Sequence, residues 1–276
     1  MSDPVTHPSP PDLNTMRFEA EGPVGTLTLM RPDDLNAMDP EMIAELAVIA
    51  PWLADRAPIR ALIVTGEGRA FSAGGDINWF RRGIEDAGID LVQQVRHGAD
   101  VLHQAIVDFK RIPYPVIAAV NGPAAGAGFS LALMCDIRIA SESAFFACAY
   151  GRIGASPDGG MTYFLPRVIG PAAAAELMLE DPNLTAADAL ERGLVSAVVP
   201  AGELLAAAGA KAVELAAGSP HYQRMVKQLV WGSLDHSLAD HLQLERHGIA
   251  DSMGTDDLRN GVRDFLAGER PSFDGR

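Results

Sequence analysis

Apolar and polar positions alternate from about Met16 to Met30, with Val24, Leu27 and Leu29 standing between small or polar residues. That period of two predicts a β-hairpin, ended by Arg31-Pro32. From Pro40 to Leu53 the spacing becomes helical, with Met42, Ile43, Leu46 and Ile49 on one stripe. Two continuous apolar runs, Ala61–Thr65 and Val116–Val120, read as buried strands, the second introduced by Pro113 and Pro115. Between them a mobile-looking segment, Asn78–Asp90, precedes a helix from about Leu91 to Phe109. Phe129–Met134 is apolar throughout and predicts a buried helix starting near Gly126.

Short strands at Ile137–Ala140 and Ala144–Ala147 follow, then a Gly/Pro-rich loop, 151–160, that opens another helix. Helices at Ala172–Leu179 and Ala186–Arg192 and a strand at Val195–Val199 complete an alternation that argues for an α/β fold. Beyond Pro200 only helical periodicity remains, at Leu204–Ala217, His221–Ser233, Leu234–Ala250 and Asp256–Leu266. The chain divides on this reading into a disordered lead-in (1–15), a body (16–200) and a helical region (201–267). The last is too thin to hold its own core, so it packs on the body or on a neighbouring subunit. Glu269–Arg276 is expected to fray.

Charge narrows the function. A formal net charge of −14 is far from that of a nucleic-acid binder, and an anionic ligand must be held by local groups against the overall field. No apolar run is long enough to span a membrane, and Met1–Asn14 lacks the basic-then-apolar order of a signal peptide. The two cysteines, Cys135 and Cys148, make neither a disulfide framework nor a metal quartet, which points to a reducing cytoplasm. His236, His241 and His247 are not spaced as ligands on one helix face, so no metal is expected.

Candidate chemistry begins at two small-residue turns, Phe71-Ser-Ala-Gly-Gly-Asp76 and Asn121-Gly-Pro-Ala-Ala-Gly-Ala-Gly128, each following a predicted strand. Side by side they can aim two backbone N–H groups at one carbonyl oxygen, an oxyanion hole suited to an enolate or a tetrahedral intermediate. The alternative is that small residues there only let strands and helices pack closely.

These turns belong to five ordered motifs. The other three are Arg31-Pro-Asp-Asp-Leu-Asn36-Ala-Met, Pro157-Asp-Gly-Gly-Met-Thr-Tyr-Phe-Leu-Pro-Arg167 and Ala186-Ala-Asp-Ala-Leu-Glu-Arg-Gly-Leu-Val195. Together they resemble the enoyl-CoA hydratase/isomerase (crotonase) superfamily over roughly residues 16–267. The resemblance implies a crotonase (ClpP-like) spiral of ββα units with a C-terminal all-helical region, homotrimers or homohexamers, and an acyl-CoA thioester substrate. It places the oxyanion donors on the backbone of Gly75 and Ala127. It also makes Arg31 a contact for a CoA phosphate and Leu35 to Met38, with Ala37, a cradle for adenine. Ala73, Gly74, Asp76 and Ile77 complete the CoA-binding set. Coenzyme A arrives on the substrate, so no separate cofactor is implied.

By the same resemblance, the two glutamates that hydrate enoyl-CoA fall on Ser130 and Tyr150, and neither is a carboxylate. One carboxylate remains, Asp158, where dienoyl-CoA isomerases, phenylacetate-pathway enoyl-CoA isomerases and 4-chlorobenzoyl-CoA dehalogenase keep an aspartate. Desolvation beside an apolar acyl pocket would make it a stronger base. It could then carry a proton from C2 of a 3-enoyl thioester to C4, whereas hydration would need a positioned water as well. Its position before Gly-Gly and an apolar helix also suits an N-cap. A rival reading pairs Asp158 with His103 and Tyr150 as a hydrolase or dehalogenase. A third is a non-catalytic acyl-CoA binder. Trp79, Phe80, Arg81 and Arg82 lie where they could cover the acyl chain or simply pack.

Overall fold

The alternating segment folds as the hairpin it predicts. In a computed structural model of the chain, which describes residues 9–275, β1 (Met16–Glu21) and β2 (Val24–Leu29) pair antiparallel around Gly22. The first helix, α1 (Pro40–Asp55), is capped by Asp39, whose side chain accepts the Met42 amide, and it buries Met42, Leu46, Ile49 and Leu53. Then come β3 (Ala61–Gly66), α2 (Ile77–Glu85), α3 (Leu91–Lys110) and β4 (Val116–Val120). A short β5 (Ala124–Ala125) leads into α4 (Ala127–Met134), all of whose residues are buried. After it run β6 (Ile137–Ser141), β7 (Phe145–Ala147), α5 (Met161–Ile169), α6 (Pro171–Glu180), β8 (Leu184–Thr185), α7 (Ala186–Glu191) and β9 (Ala197–Val199). Four helices close the chain: α8 (Leu204–Ala216), α9 (Pro220–Gly232), α10 (Leu238–Ser252) and α11 (Asp256–Ala267).

The main sheet runs β1-β2-β3-β4-β6-β9, parallel from β2 onward, and a small sheet runs β5-β7-β8. Every residue of β3 and β4 is buried, as strands covered on both faces must be. One face meets α1 and α3 through Leu53, Leu102 and Phe109. The other meets α8, where Leu204, Ala208, Ala212 and Ala216 pack on Ala61, Ile63, Ile117, Ala119 and Ile139. Alanine at successive helical turns lets that backbone approach the sheet closely.

Several expectations change. The segment 78–90 is not a mobile loop: its first part is α2, because Asp76 accepts the Trp79 amide and starts a helix there. Strands β5 and β8, of two residues each, are too short to leave a periodic signal. The helix expected from Leu234 starts only at Leu238, where the Ser237 hydroxyl accepts the Asp240 amide. The first helix beyond residue 200, α8, is a layer of the body rather than part of a separate region.

The chain ends are also tied. Of the expected lead-in, residues 1–8 lie outside the described residues, while the Asn14 and Thr15 amides donate to Glu45 of α1. The expected fraying after Glu269 is not seen through residue 275. The buried Asp257 carboxylate accepts the amides of Asp274 and Gly275 at 2.9 and 3.0 Å, and Arg60 donates to the Phe273 carbonyl. Among the described residues no helix is long and apolar enough to cross a membrane.

Ala208→Leu should therefore overfill the α8–sheet contact and cost about 1–3 kcal/mol, read as a lowered unfolding midpoint. The same change at exposed Val213 should leave the midpoint within experimental error.

Candidate active site

The two glycine turns lie side by side because their main chains hydrogen-bond to each other. The amides of Phe71 and Ser72 both donate to the Pro123 carbonyl at 3.1 Å, and the Ala125 amide returns a bond to Ser72 at 2.9 Å. Such contact excludes side chains: a Cβ on Gly128 would lie 2.2 Å from the Ser72 carbonyl oxygen, and one on Gly74 would lie 2.6 Å from that of Ala125. Gly74 also holds φ of +91°, which L side chains rarely adopt.

A third segment braces the pair. The Ala73 amide donates to Leu35, the Met38 amide to Gly74 and the Asp76 amide to Met38, all at 2.7–3.1 Å. Buried Asn36 donates to the carbonyls of Glu67 and Ala70, and the Ser72 hydroxyl donates to the Asn36 carbonyl at 2.8 Å. Asn121 bonds across from the other turn, accepting from Gly66 and donating to Gly68 and Ala70. Sequence reasoning assigned Asn36, Ser72 and Asn121 no role. Their signal was present, since polar side chains inside otherwise apolar motifs need partners.

Two amides are left over. Among the described residues, neither Gly75 nor Ala127 donates its N–H to a protein group. A Cβ built on neighbouring Gly74 would lie 3.1 Å from the Ala127 nitrogen, so both donors line one small space. Ala127 is also the first residue of α4, adding the positive end of a buried helix dipole. An apolar cavity of about 20 Å³ opens beside it, walled by Met38, Leu102, Phe109 and Leu131.

Asp158 stands next to this space. The left-handed Gly159 (φ +60°) packs so closely that a Cβ there would lie 3.2 Å from Ser130 and 3.8 Å from the Ala127 Cα. The expected cap does not form: α5 begins at Met161 behind Gly160, and no side chain caps it. Instead the Tyr150 hydroxyl donates to Asp158 Oδ1 at 2.9 Å, and Ser130 Oγ donates to the Asp158 carbonyl at 3.2 Å. Burial, then the neighbouring Asp158 charge, pushes the Tyr150 phenol far above its ordinary value, so it stays a donor. Asp158 itself is exposed in the single chain, so the desolvation expected of it is not met there.

The remaining candidates divide. Leu35, Ala37, Ala73, Gly74 and Ile77 come together around the oxyanion turn, with Ile77 exposed at the start of α2. Arg31 and Asp76 are turned inward instead. The Arg31 guanidinium is held by Asp34, Asp39 and Asp76 at 2.8–3.3 Å and donates to the Ala37 carbonyl, so it is committed to the loop rather than presented to a phosphate. Burial would raise the Asp76 pKa, but the Trp79 amide and the Arg31 cation outweigh it and hold the carboxyl below its usual value. His103 is exposed on α3 and lines a second cleft with Ile106 and Gly160. The walls of that cleft include Tyr163, Phe164 and Trp231, which sequence reasoning missed because α5 and α9 are distant in the chain.

A family model described as Enoyl-CoA hydratase/isomerase matches residues 19–276. The chain is 39% identical over 255 residues to a 1,2-epoxyphenylacetyl-CoA isomerase of Escherichia coli K12, covering 92% of this chain and 95% of that protein. It is 36% identical over 260 residues to a probable mitochondrial enoyl-CoA hydratase of Dictyostelium discoideum, covering 94% and 90% of the two chains. A crystal structure of a putative enoyl-CoA hydratase from Streptomyces coelicolor A3(2) superposes with a TM-score of 0.90, at 33% identity and over 100% of both chains.

Asp76→Asn should keep the cap but lose the ion pair, costing about 1 kcal/mol at neutral pH. Because the folded carboxyl titrates below its ordinary 3.8, the charge contributes stability above that pH. The gap between wild type and variant should therefore close as pH falls through the depressed value, followed by denaturant unfolding at a series of pH values.

Proposed function

The chain belongs to the enoyl-CoA hydratase/isomerase family, and from that premise we propose that it isomerises 3-enoyl-CoA to 2-enoyl-CoA with Asp158 as its single base. The fold is the crotonase fold, α/β with a C-terminal helical region, and the family acts on acyl-CoA thioesters. The observation that carries the reading is the state of Asp158. Its carboxylate caps no helix and is steered by the Tyr150 hydroxyl beside the two free amides.

In the proposed step, Asp158 takes a proton from C2 and the electron pair moves onto the thioester oxygen. The dienolate is held by the N–H groups of Gly75 and Ala127. The carboxylic acid returns the same proton to C4, and the double bond settles between C2 and C3 next to the thioester. Each oxyanion donor is worth about 3 kcal/mol in such sites. No step needs a cofactor, because coenzyme A is carried by the substrate. The E. coli relative is named for isomerising an epoxide on a CoA thioester, which supports isomerisation as a class but not this double-bond shift, and the relatives named as hydratases do not by name argue for it.

His103 keeps a second reading alive, because it lines the cleft at Gly160, two residues beyond Asp158. There an Asp158–His103 hydrolase or dehalogenase would draw on it to activate water. We also place the protein in the cytoplasm, on the support of two free, buried thiols, Cys135 and Cys148. Self-association into a homotrimer or homohexamer is supported by the apolar side chains left exposed on the last helices. Leu234, Leu238, Phe265 and Leu266 are 71–80% exposed in the single chain.

A 3-enoyl-CoA should yield the conjugated 2-enoyl thioester, followed by its absorbance, with negligible hydration of crotonyl-CoA. Asp158→Asn should lower that turnover by about 10²–10⁴-fold while still binding CoA esters; an active variant would remove Asp158 as the base. His103→Ala should barely change isomerisation, and a loss of free-CoA or halide release in that variant would instead favour the second reading. Light scattering on the eluting protein should give three or six times the 29.2 kDa chain mass, and a monomer would refute self-association.

A further inference from the structure

The cleft between α3, α5 and α9 has a volume of about 520 Å³, within the range of small-ligand sites. It adjoins the oxyanion space: Ile106 lines both it and the small apolar cavity at Ala127, and of two consecutive glycines Gly159 faces the cavity and Gly160 the cleft. An acyl chain whose thioester carbonyl sits on Gly75 and Ala127 runs past Ile106 into it.

The charges there do not balance. Lys110 and Lys227 both line the cleft, and one carboxylate, Asp136, lies between them. Lys227 is fully engaged, 2.6 Å from Asp136 Oδ2 and donating to the Tyr114 carbonyl at 2.7 Å. Lys110 is not. Its ammonium lies 3.7 Å from Asp136 Oδ1, too far for a hydrogen bond, and that buried oxygen accepts none. It donates to the Met134 carbonyl and otherwise rests 3.8 Å above the Trp231 ring. The other ion pair at the cleft, Arg167 with Asp235, is closed at 2.6 Å and neutral. Burial brings Lys110 down to about 8, with Asp136 opposing the shift and Lys227 adding to it. In a chain carrying −14, a cleft whose Lys110–Lys227–Asp136 cluster holds one more cation than anion is a specific feature.

We propose that this cleft is a distal acyl subsite in which Lys110 pairs with a carboxylate, so that the enzyme selects mono-CoA thioesters of dicarboxylic acids over plain alkyl thioesters. The inference rests on the proposed acyl-CoA site and deepens it. A ligand carboxylate makes the cluster two cations and two anions, while the Trp231 and Phe164 rings, edge to face at 5.7 Å, flank the methylene chain. A methyl-ended chain fills the same space and leaves the ammonium unmatched.

Calorimetric titration with octanedioyl-CoA and octanoyl-CoA tests this, because neither saturated thioester can isomerise and the assigned reaction does not enter. The wild-type protein should bind the carboxylate-ended ligand about 10-fold or more tightly. In Lys110→Met, which keeps the stem packed on Trp231, the two affinities should converge. Equal affinities in the wild type, or a preference that survives Lys110→Met, overturn the subsite and leave the acyl-CoA reading standing. Failure of both ligands to bind overturns the acyl-CoA reading as well. If Lys110→Met does not fold, the wild-type comparison, repeated with the six-carbon pair, decides alone.

Discussion

Everything at this site depends on two turns touching through their main chains. The bonds from Phe71 and Ser72 to Pro123, and from Ala125 back to Ser72, fix the distance between Gly75 and Ala127. Among the described residues both amides are then left without protein partners, beside an apolar cavity. A free N–H in such surroundings costs free energy, and a fold tolerates it where the surroundings over-determine the geometry. That determination includes the side chains of Asn36, Ser72 and Asn121, which tie the turns and the bracing loop together through main-chain carbonyls. The strands β3 and β4 deliver the two turns to the same edge because they are parallel neighbours in the sheet.

The charged groups around the turns serve a different end from the one their positions suggest. Arg31 sits in a motif where a phosphate contact is expected, yet three carboxylates surround it. That arrangement is structural: it ties the 31–39 loop to the N-terminus of α2 and so holds the far side of the Gly75 turn. A guanidinium with this much counter-charge has little attraction left for an anion such as a CoA phosphate. The locality of each charge matters more here than the chain's net charge.

Much of this was legible beforehand, for identifiable reasons. The hairpin, α1, the buried strands and α4 follow from periodicity, which reports burial directly, and the oxyanion turns announced themselves by runs of Gly and Ala. What escaped depends on partners far apart in the chain. The helix α2, capped by Asp76, was hidden because it is nine residues long and buries only Gly83. The anchoring of residues 274–275 on Asp257 and the assignment of α8 to the core are tertiary facts with no local signature. The aromatic and cationic cleft assembles α3, α5 and α9, and only the fold shows Lys110 over Trp231.

Overall similarity and the contents of the site pull in different directions. Relatives that carry the hydratase name are 36% and 37% identical to this chain over nearly its whole length. A shared fold serves several reactions, so this likeness does not by itself choose among them. On the proposed reading the reaction is decided by which groups can move a proton, and the family resemblance puts the hydratase acids on Ser130 and Tyr150. Neither is a spectator. Ser130 Oγ donates to the Asp158 carbonyl and the Tyr150 hydroxyl to the Asp158 carboxylate, so the two hold the group proposed as the base. A tyrosine whose phenol is pushed well above its ordinary value is a poor acid in its own right but a reliable donor. On the proposed reading, two positions that the resemblance assigns to hydratase acids serve here as supports for a single base, which suits proton shuttling rather than water addition. It accounts for the site more fully than the loss of activity that missing glutamates alone would suggest.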